Sequence, residues 1–122
     1  MIRHTFSVLQ GIGEKLEQRL WRQGILTWED FLLADSVEGI GREKKSLYNF
    51  TLEAHLRALN ERDFSHFSKN LRRREHWRLY EQWKEQVLCL DIETNGLMPE
   101  QGGYPTLVGL YDGSSWRALI RG

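Results

Sequence analysis

The sequence predicts an α+β protein in which a helical N-terminal unit is followed by a short antiparallel three-stranded sheet. Three observations predict it. Apolar residues recur at three- and four-residue intervals up to about residue 86, the spacing of one helix face. The pattern then changes at Val87-Leu88-Cys89-Leu90-Asp91-Ile92, which is apolar except for one acid. That run is too short for an ordinary helix and has the composition of a buried strand. Two further strand-like runs follow, Thr106–Tyr111 and Ser115–Ile120, joined by the turn residues Asp112-Gly113-Ser114. Short connections make these three an antiparallel meander. The expected divisions are a helical unit over 1–62, a helical connector over 63–86 and the strands over 87–122.

Thr5 to Gln10 is expected as one short helix, with Thr5 as N-cap and Phe6 and Leu9 apolar. Gly11-Ile12-Gly13 breaks it. A second helix, Glu14 to Gln23, carries Leu16, Leu20 and Trp21 on one face and is stopped by Gly24. Thr27-x-x-Asp30 is a capping-box variant that opens a third helix, with Trp28, Phe31 and Leu32 on its buried side. Gly39-Ile40-Gly41 then repeats Gly11-Ile12-Gly13 at an offset of 28 residues. Lys44 and Lys45 follow it much as Lys15 follows the first. A long helix from Arg42 to about Asn60 lines up Tyr48, Leu52, Leu56 and Leu59. Two copies of helix, glycine turn and helix are expected to pack as a pseudo-twofold unit, because neither pair closes a core alone.

Asp63 is expected to cap a further helix holding Phe64, Phe67 and Leu71. Arg72-Arg73-Arg74 is a basic run of the kind that is usually solvated. An amphipathic helix is expected from about Arg74 to Gln86, with Trp77, Tyr80, Trp83 and Val87 as an aromatic stripe. Packing against the sheet is favoured for that stripe over base stacking. Beyond Glu93, residues 98–105 form a loop containing Pro99 and Gly102-Gly103.

Composition excludes several classes. Basic and acidic residues balance at 17 each, so no global field draws the chain to nucleic acid or membrane. No apolar run approaches membrane-spanning length, and Met1-Ile2-Arg3-His4-Thr5 lacks a signal-peptide core. The single cysteine, Cys89, is expected as a buried free thiol, which fits a reducing cytoplasm. His4, His55, His66 and His76 have no zinc-ligand spacing.

The chemistry concentrates at Asp91 and Glu93. Side chains two apart on a strand share a face, so both carboxylates project together while Ile92 points the other way. Paired acids on an apolar strand are costly to bury unless a cation neutralises them. Hard divalent ions such as Mg²⁺ or Mn²⁺ take such oxygen ligands. The bland alternative is an acidic strand end in water. The full string Leu90-Asp91-Ile92-Glu93-Thr94-Asn95-Gly96-Leu97 resembles the first motif of the DEDD exonucleases of the ribonuclease H-like superfamily, usually Asp-Ile-Glu-Thr-Thr-Gly-Leu, with Asn95 in place of the second Thr.

The helical part resembles the helix-hairpin-helix modules of DNA repair and recombination proteins, through Leu9-x-Gly11-Ile12-Gly13-x-Lys15 and Gly24-Ile25-x-Thr27-x-x-Asp30. Two glycines let the backbone bend tightly and leave amide N–H groups at a helix start, an arrangement suited to phosphate. Lys15 and Arg19 can add charge-assisted contacts, and Arg72 and Arg73 can reach phosphates near the metal site. Such contacts read backbone, not base sequence. The same hairpin can instead only join helices or grip a protein partner. For the second hairpin, flanked by Glu38 and Glu43, that reading is favoured.

The order of hairpin pair, Arg72-Arg73-x-Glu75-His76-Trp77-Arg78 segment, acidic strand and Tyr111-Asp112-Gly113 turn resembles the YprB-like group of ribonuclease H-like proteins, classed as predicted exonucleases. The resemblance implies a two-ion site held by four carboxylates, of which Asp91 and Glu93 match the first two. Asp112 does not match the later ones, which come from strands and helices beyond the third strand. The chain therefore reads as the N-terminal part of a longer nuclease, with at most one weakly held Mg²⁺ or Mn²⁺. Its three-stranded sheet is expected to leave an apolar face uncovered, through which two copies can associate. Non-catalytic binding of nucleic-acid backbone, or docking of a protein through the helical unit, is the alternative.

Overall fold

The computed structural model describes residues 1–121; Gly122, the last residue of the expected sheet unit, lies outside them. The chain divides into two compact units, residues 1–82 and 83–122. The architecture is mixed α and β, with the helices first and one antiparallel sheet after them.

In the first unit α1 spans Glu14–Arg22, α2 Trp28–Leu33, α3 Arg42–Asn60 and α4 Phe64–Asn70. Each helix boundary has a local cause. Gly13 precedes α1 in an extended conformation, and α1 ends in a pair of nested bonds, Ile25 N–H to Leu20 O and Gly24 N–H to Trp21 O. At α2 the capping box forms in full: Thr27 Oγ1 accepts from Asp30 N, and Asp30 Oδ2 accepts from Thr27 N at 2.8 Å. Asp63 caps α4 by accepting from His66 N at 3.1 Å.

The helix expected over Thr5–Gln10 does not form. A short 3₁₀ turn, Ile2–His4, comes earlier, and residues 5–13 run through turns. The cause is Glu17 of α1. Its buried carboxylate accepts from Thr5 Oγ1 at 2.7 Å and from Phe6 N at 2.6 Å, so Thr5 serves a tertiary contact instead of a cap. Trp28 Nε1 donates to Thr5 O at 2.7 Å and fixes the same segment from the other side. The first glycine turn thus lacks the helix expected before it, whereas the second lies between α2 and α3.

Phe6, Trp28, Phe31, Leu52 and Phe67 are all buried at the centre of this unit. Trp28 stacks on Phe67 with ring centroids 6.4 Å apart, and Phe31 meets Phe6 and Tyr48 at 5.7 and 6.3 Å. Each such side chain contributes about 1.5–3 kcal/mol by leaving water.

The single amphipathic helix expected over 74–86 is replaced by a 3₁₀ segment Arg73–Leu79, a one-turn helix α5 (Tyr80–Trp83) and a 3₁₀ turn Lys84–Gln86. Its aromatic stripe does not form one buried face. Leu79 and Trp83 are buried, while Trp77 and Tyr80 are about half exposed. The segment changes from 3₁₀ to one α turn and back to 3₁₀ between residues 73 and 86, so no single helical period carries one face from Trp77 to Val87. Arg78 lies over the Trp77 ring, 4.5 Å from its centroid.

In the second unit β1 is Cys89–Thr94, β2 Pro105–Tyr111 and β3 Trp116–Ile120, in the order β1-β2-β3 with both pairings antiparallel. The expected meander is present. The expected burial is not: every residue of β1 is exposed, including Cys89. No second layer covers either face among the described residues of this unit, so a strand with the composition of a core strand stands in water. No helix among the described residues is long and apolar enough to cross a membrane.

Candidate metal centre and nucleic-acid interface

Asp91 pairs with Gly109 and Glu93 with Leu107 across the β1–β2 ladder. The pairing is regular between those two positions and shifts only after Glu93, so both carboxylates project from one face. Cys89 shares that face. Leu90 and Ile92 lie on the other, with Val108, Leu110 and Leu119 beside them in register. Ile92 thus points away from the acids as the alternation predicts.

Gly109, opposite Asp91, is where the backbone must be bare. A Cβ there would come within 2.3 Å of the Trp116 ring, so the indole lies across this position. The loop after β1 is pinned by Asn95, whose Oδ1 accepts from Leu97 N and Tyr104 N and whose Nδ2 donates to Gly102 O at 3.3 Å. The one departure from the resembling motif is therefore the residue that closes the loop beside Glu93.

Both carboxylates are exposed and make no hydrogen bond or ion pair among the described residues. The cost of burying two acids, which argued for a neutralising cation, is not incurred here. Two hard oxygen donors on one face still suit Mg²⁺ or Mn²⁺. No group of three or more His, Cys, Asp or Glu side chains is placed to hold an ion among the described residues. The pair can therefore supply two protein ligands, with water completing the shell. Asp112 sits in the β2–β3 turn and serves structure. It accepts from the backbone and hydroxyls of Ser115 and Ser114, and those donors hold its carboxyl well below the usual range.

In the helical unit the two glycine turns are built alike. Gly11 and Gly39 have φ of 87° and 84°, Ile12 and Ile40 are buried, and Gly13 and Gly41 are N-caps without a side chain. The left-handed backbone explains the glycines at 11 and 39. Each turn carries a cation from the other half of the unit. Lys44 Nζ lies 3.5 Å from where a Gly11 Cβ would stand, and Arg19 Nη1 lies 3.1 Å from the same point on Gly39. Arg19 thus packs against the second turn, away from the phosphate role expected beside the first.

Gly13 opens onto a concavity of about 380 Å³ with Arg72, Arg74 and Arg78, but Glu14, Glu17 and Glu75 line it too. Glu75 is already paired with Arg78 at 2.7 Å. Gly11 and Arg72 instead meet in a larger groove of about 800 Å³ on the Lys44 side. Lys15 and Arg73 are exposed and line neither. Lys44 and Lys69, which line the larger groove, were not singled out as binding residues, because only the fold brings them beside Gly11. No family model, no curated protein and no solved structure matches this chain.

Proposed function

We propose that this chain is the N-terminal part of a metal-dependent ribonuclease H-like exonuclease of the YprB-like group, acting on nucleic-acid phosphodiesters from a 3′ end. The observation that carries the reading is the placement of Asp91 and Glu93 on one face of β1, unpaired and open to a cation. A second feature supports it. β1 is an edge strand with an apolar composition suited to the middle of a sheet, and an exposed edge of that kind is a liability unless another strand pairs with it. In the complete site two ions roughly 3.5–4 Å apart would activate water and steady the leaving oxygen. Asp91 and Glu93 would hold them from this side.

The helical unit, as a helix-hairpin-helix-like module, would hold nucleic-acid backbone. Gly11, Gly13, Lys15, Arg19, Arg72 and Arg73 are the residues first assigned to that role, with Gly11 and Arg72 the best placed of them. Pairing of two copies through the apolar face of Leu90, Ile92 and Leu119 and a reducing, cytoplasmic setting belong to the same reading. The alternative, a non-catalytic backbone-binding or protein-docking module, is favoured by the cationic groove alone.

A nuclease assay with Mn²⁺ on 3′-labelled single strands separates the possibilities. Two carboxylates cannot clamp two ions, so the chain alone is expected to leave the substrate intact. A longer chain restoring the sheet should cleave it and lose cleavage on Asp91→Ala. Asp91-dependent cleavage by the 122-residue chain would overturn the two-ligand limit. An active longer chain indifferent to Asp91→Ala would overturn the metal role.

A further inference from the structure

The groove of about 800 Å³ between the first glycine turn and α3 has a charge pattern that its neighbour lacks. Lys44 of α3, Lys69 of α4 and Arg72 converge on it, and no Asp or Glu lines it. None of the three cations is ion-paired among the described residues. Three unneutralised positive charges around one depression raise the local concentration of anions.

A second observation comes from His55, which lines the same groove and is only 3% exposed. Its Nδ1 meets His66 Nε2 at 2.6 Å, its Nε2 is sealed from solvent, and the Val8 backbone lies within hydrogen-bonding reach of the ring. When the Nε2 proton is present, Nδ1 accepts from His66. Tyr48 is already committed, since its hydroxyl donates to Gln10 O at 2.7 Å, and it fixes the wall beside Lys44.

We propose that this groove is a phosphate-group site that holds a segment of nucleic-acid backbone through Lys44, Lys69 and Arg72. The site deepens the backbone-binding part of the proposed function and rests on it for the identity of the ligand. It replaces the start of α1 as the main anchor, because Glu14 and Glu75 face a phosphate there and no acid faces one here. Phosphate carried by a small nucleotide offers the same chemistry, so the test separates the two sources.

The experiment measures fluorescence anisotropy of a labelled single-stranded oligonucleotide across a salt series, with the whole chain and two double variants. Lys44→Ala/Lys69→Ala removes two groove cations at exposed positions. Arg22→Ala/Arg57→Ala removes the same charge elsewhere. The groove variant should bind about tenfold more weakly, with the log–log salt slope flatter by about one to two; the control should stay within about twofold. Equal loss in both variants, or none in the groove variant, overturns the groove while leaving backbone binding in place. No oligonucleotide binding, together with lysine-dependent binding of a nucleoside monophosphate by calorimetry, keeps the phosphate site and overturns the backbone reading. Binding of neither overturns both.

Discussion

The helical unit and the sheet unit spend their apolar residues in opposite ways. Residues 1–82 bury Phe6, Trp28, Phe31, Leu52 and Phe67 around one centre, and polar groups such as Glu17 and Thr5 are satisfied inside. In residues 83–122 the strands have complete ladders but hold Leu90, Ile92, Leu119 and Ile120 at half or more of their full exposure. Backbone pairing sets strand register, and burial supplies most of the free energy. The first unit has both. The second has the ladder without a second layer among its described residues.

The largest effect should come from the closed core. Trp28→Ala is expected to destabilise the helical unit by about 3–5 kcal/mol, read from the shift of its helical circular dichroism in urea. A loss under about 1 kcal/mol would mean that the core is not packed as described.

A middle-sized effect should follow pH. Burial, with the charge of His66 as a second cause, lowers His55 to about 4 from the usual 6.5. The unfolded ring therefore binds a proton between about pH 6.5 and 4 while the folded ring resists it. Stability should be complete above about pH 6.5 and fall as pH drops through that window, by on the order of 1–3 kcal/mol. His55→Phe should flatten the slope. An unchanged slope in that variant would place the titrating group elsewhere.

The smallest effect should come from the open sheet. Ile92→Ala, at a half-exposed position, is expected to change stability by about 0.5 kcal/mol or less in dilute protein. A cost comparable to Trp28→Ala would show that the apolar face is covered in solution. Dependence of that cost on protein concentration would identify the cover as a second copy.

Local signals were legible where one residue type has one physical use. The Thr27–Asp30 box, the Asp63 cap, the full length of α3 and the helix breaks at Gly11–Gly13 and Gly39–Gly41 could be read directly. So could the three strands and the shared face of Asp91 and Glu93. The misreadings are tertiary. Nothing near Thr5 announces that Glu17 will take its hydroxyl, and nothing in the 77, 80, 83 spacing announces a 3₁₀ turn. Alternation tells which residues share a face of a sheet but not whether a second layer lies against it, so Cys89 and β1 were expected inside. Lys44 was visible only as an echo of Lys15, because its place beside Gly11 depends on how the two halves pack.

The central claim is that Asp91 and Glu93 form half of a cation site. Mn²⁺ titration followed by paramagnetic broadening of backbone amide signals tests it most directly. Broadening centred on residues 91–93 and on the facing residues Leu107 and Gly109, saturable and abolished by Asp91→Asn/Glu93→Gln, is the expected result. Broadening spread over all exposed acids, or unchanged in the double variant, would contradict it.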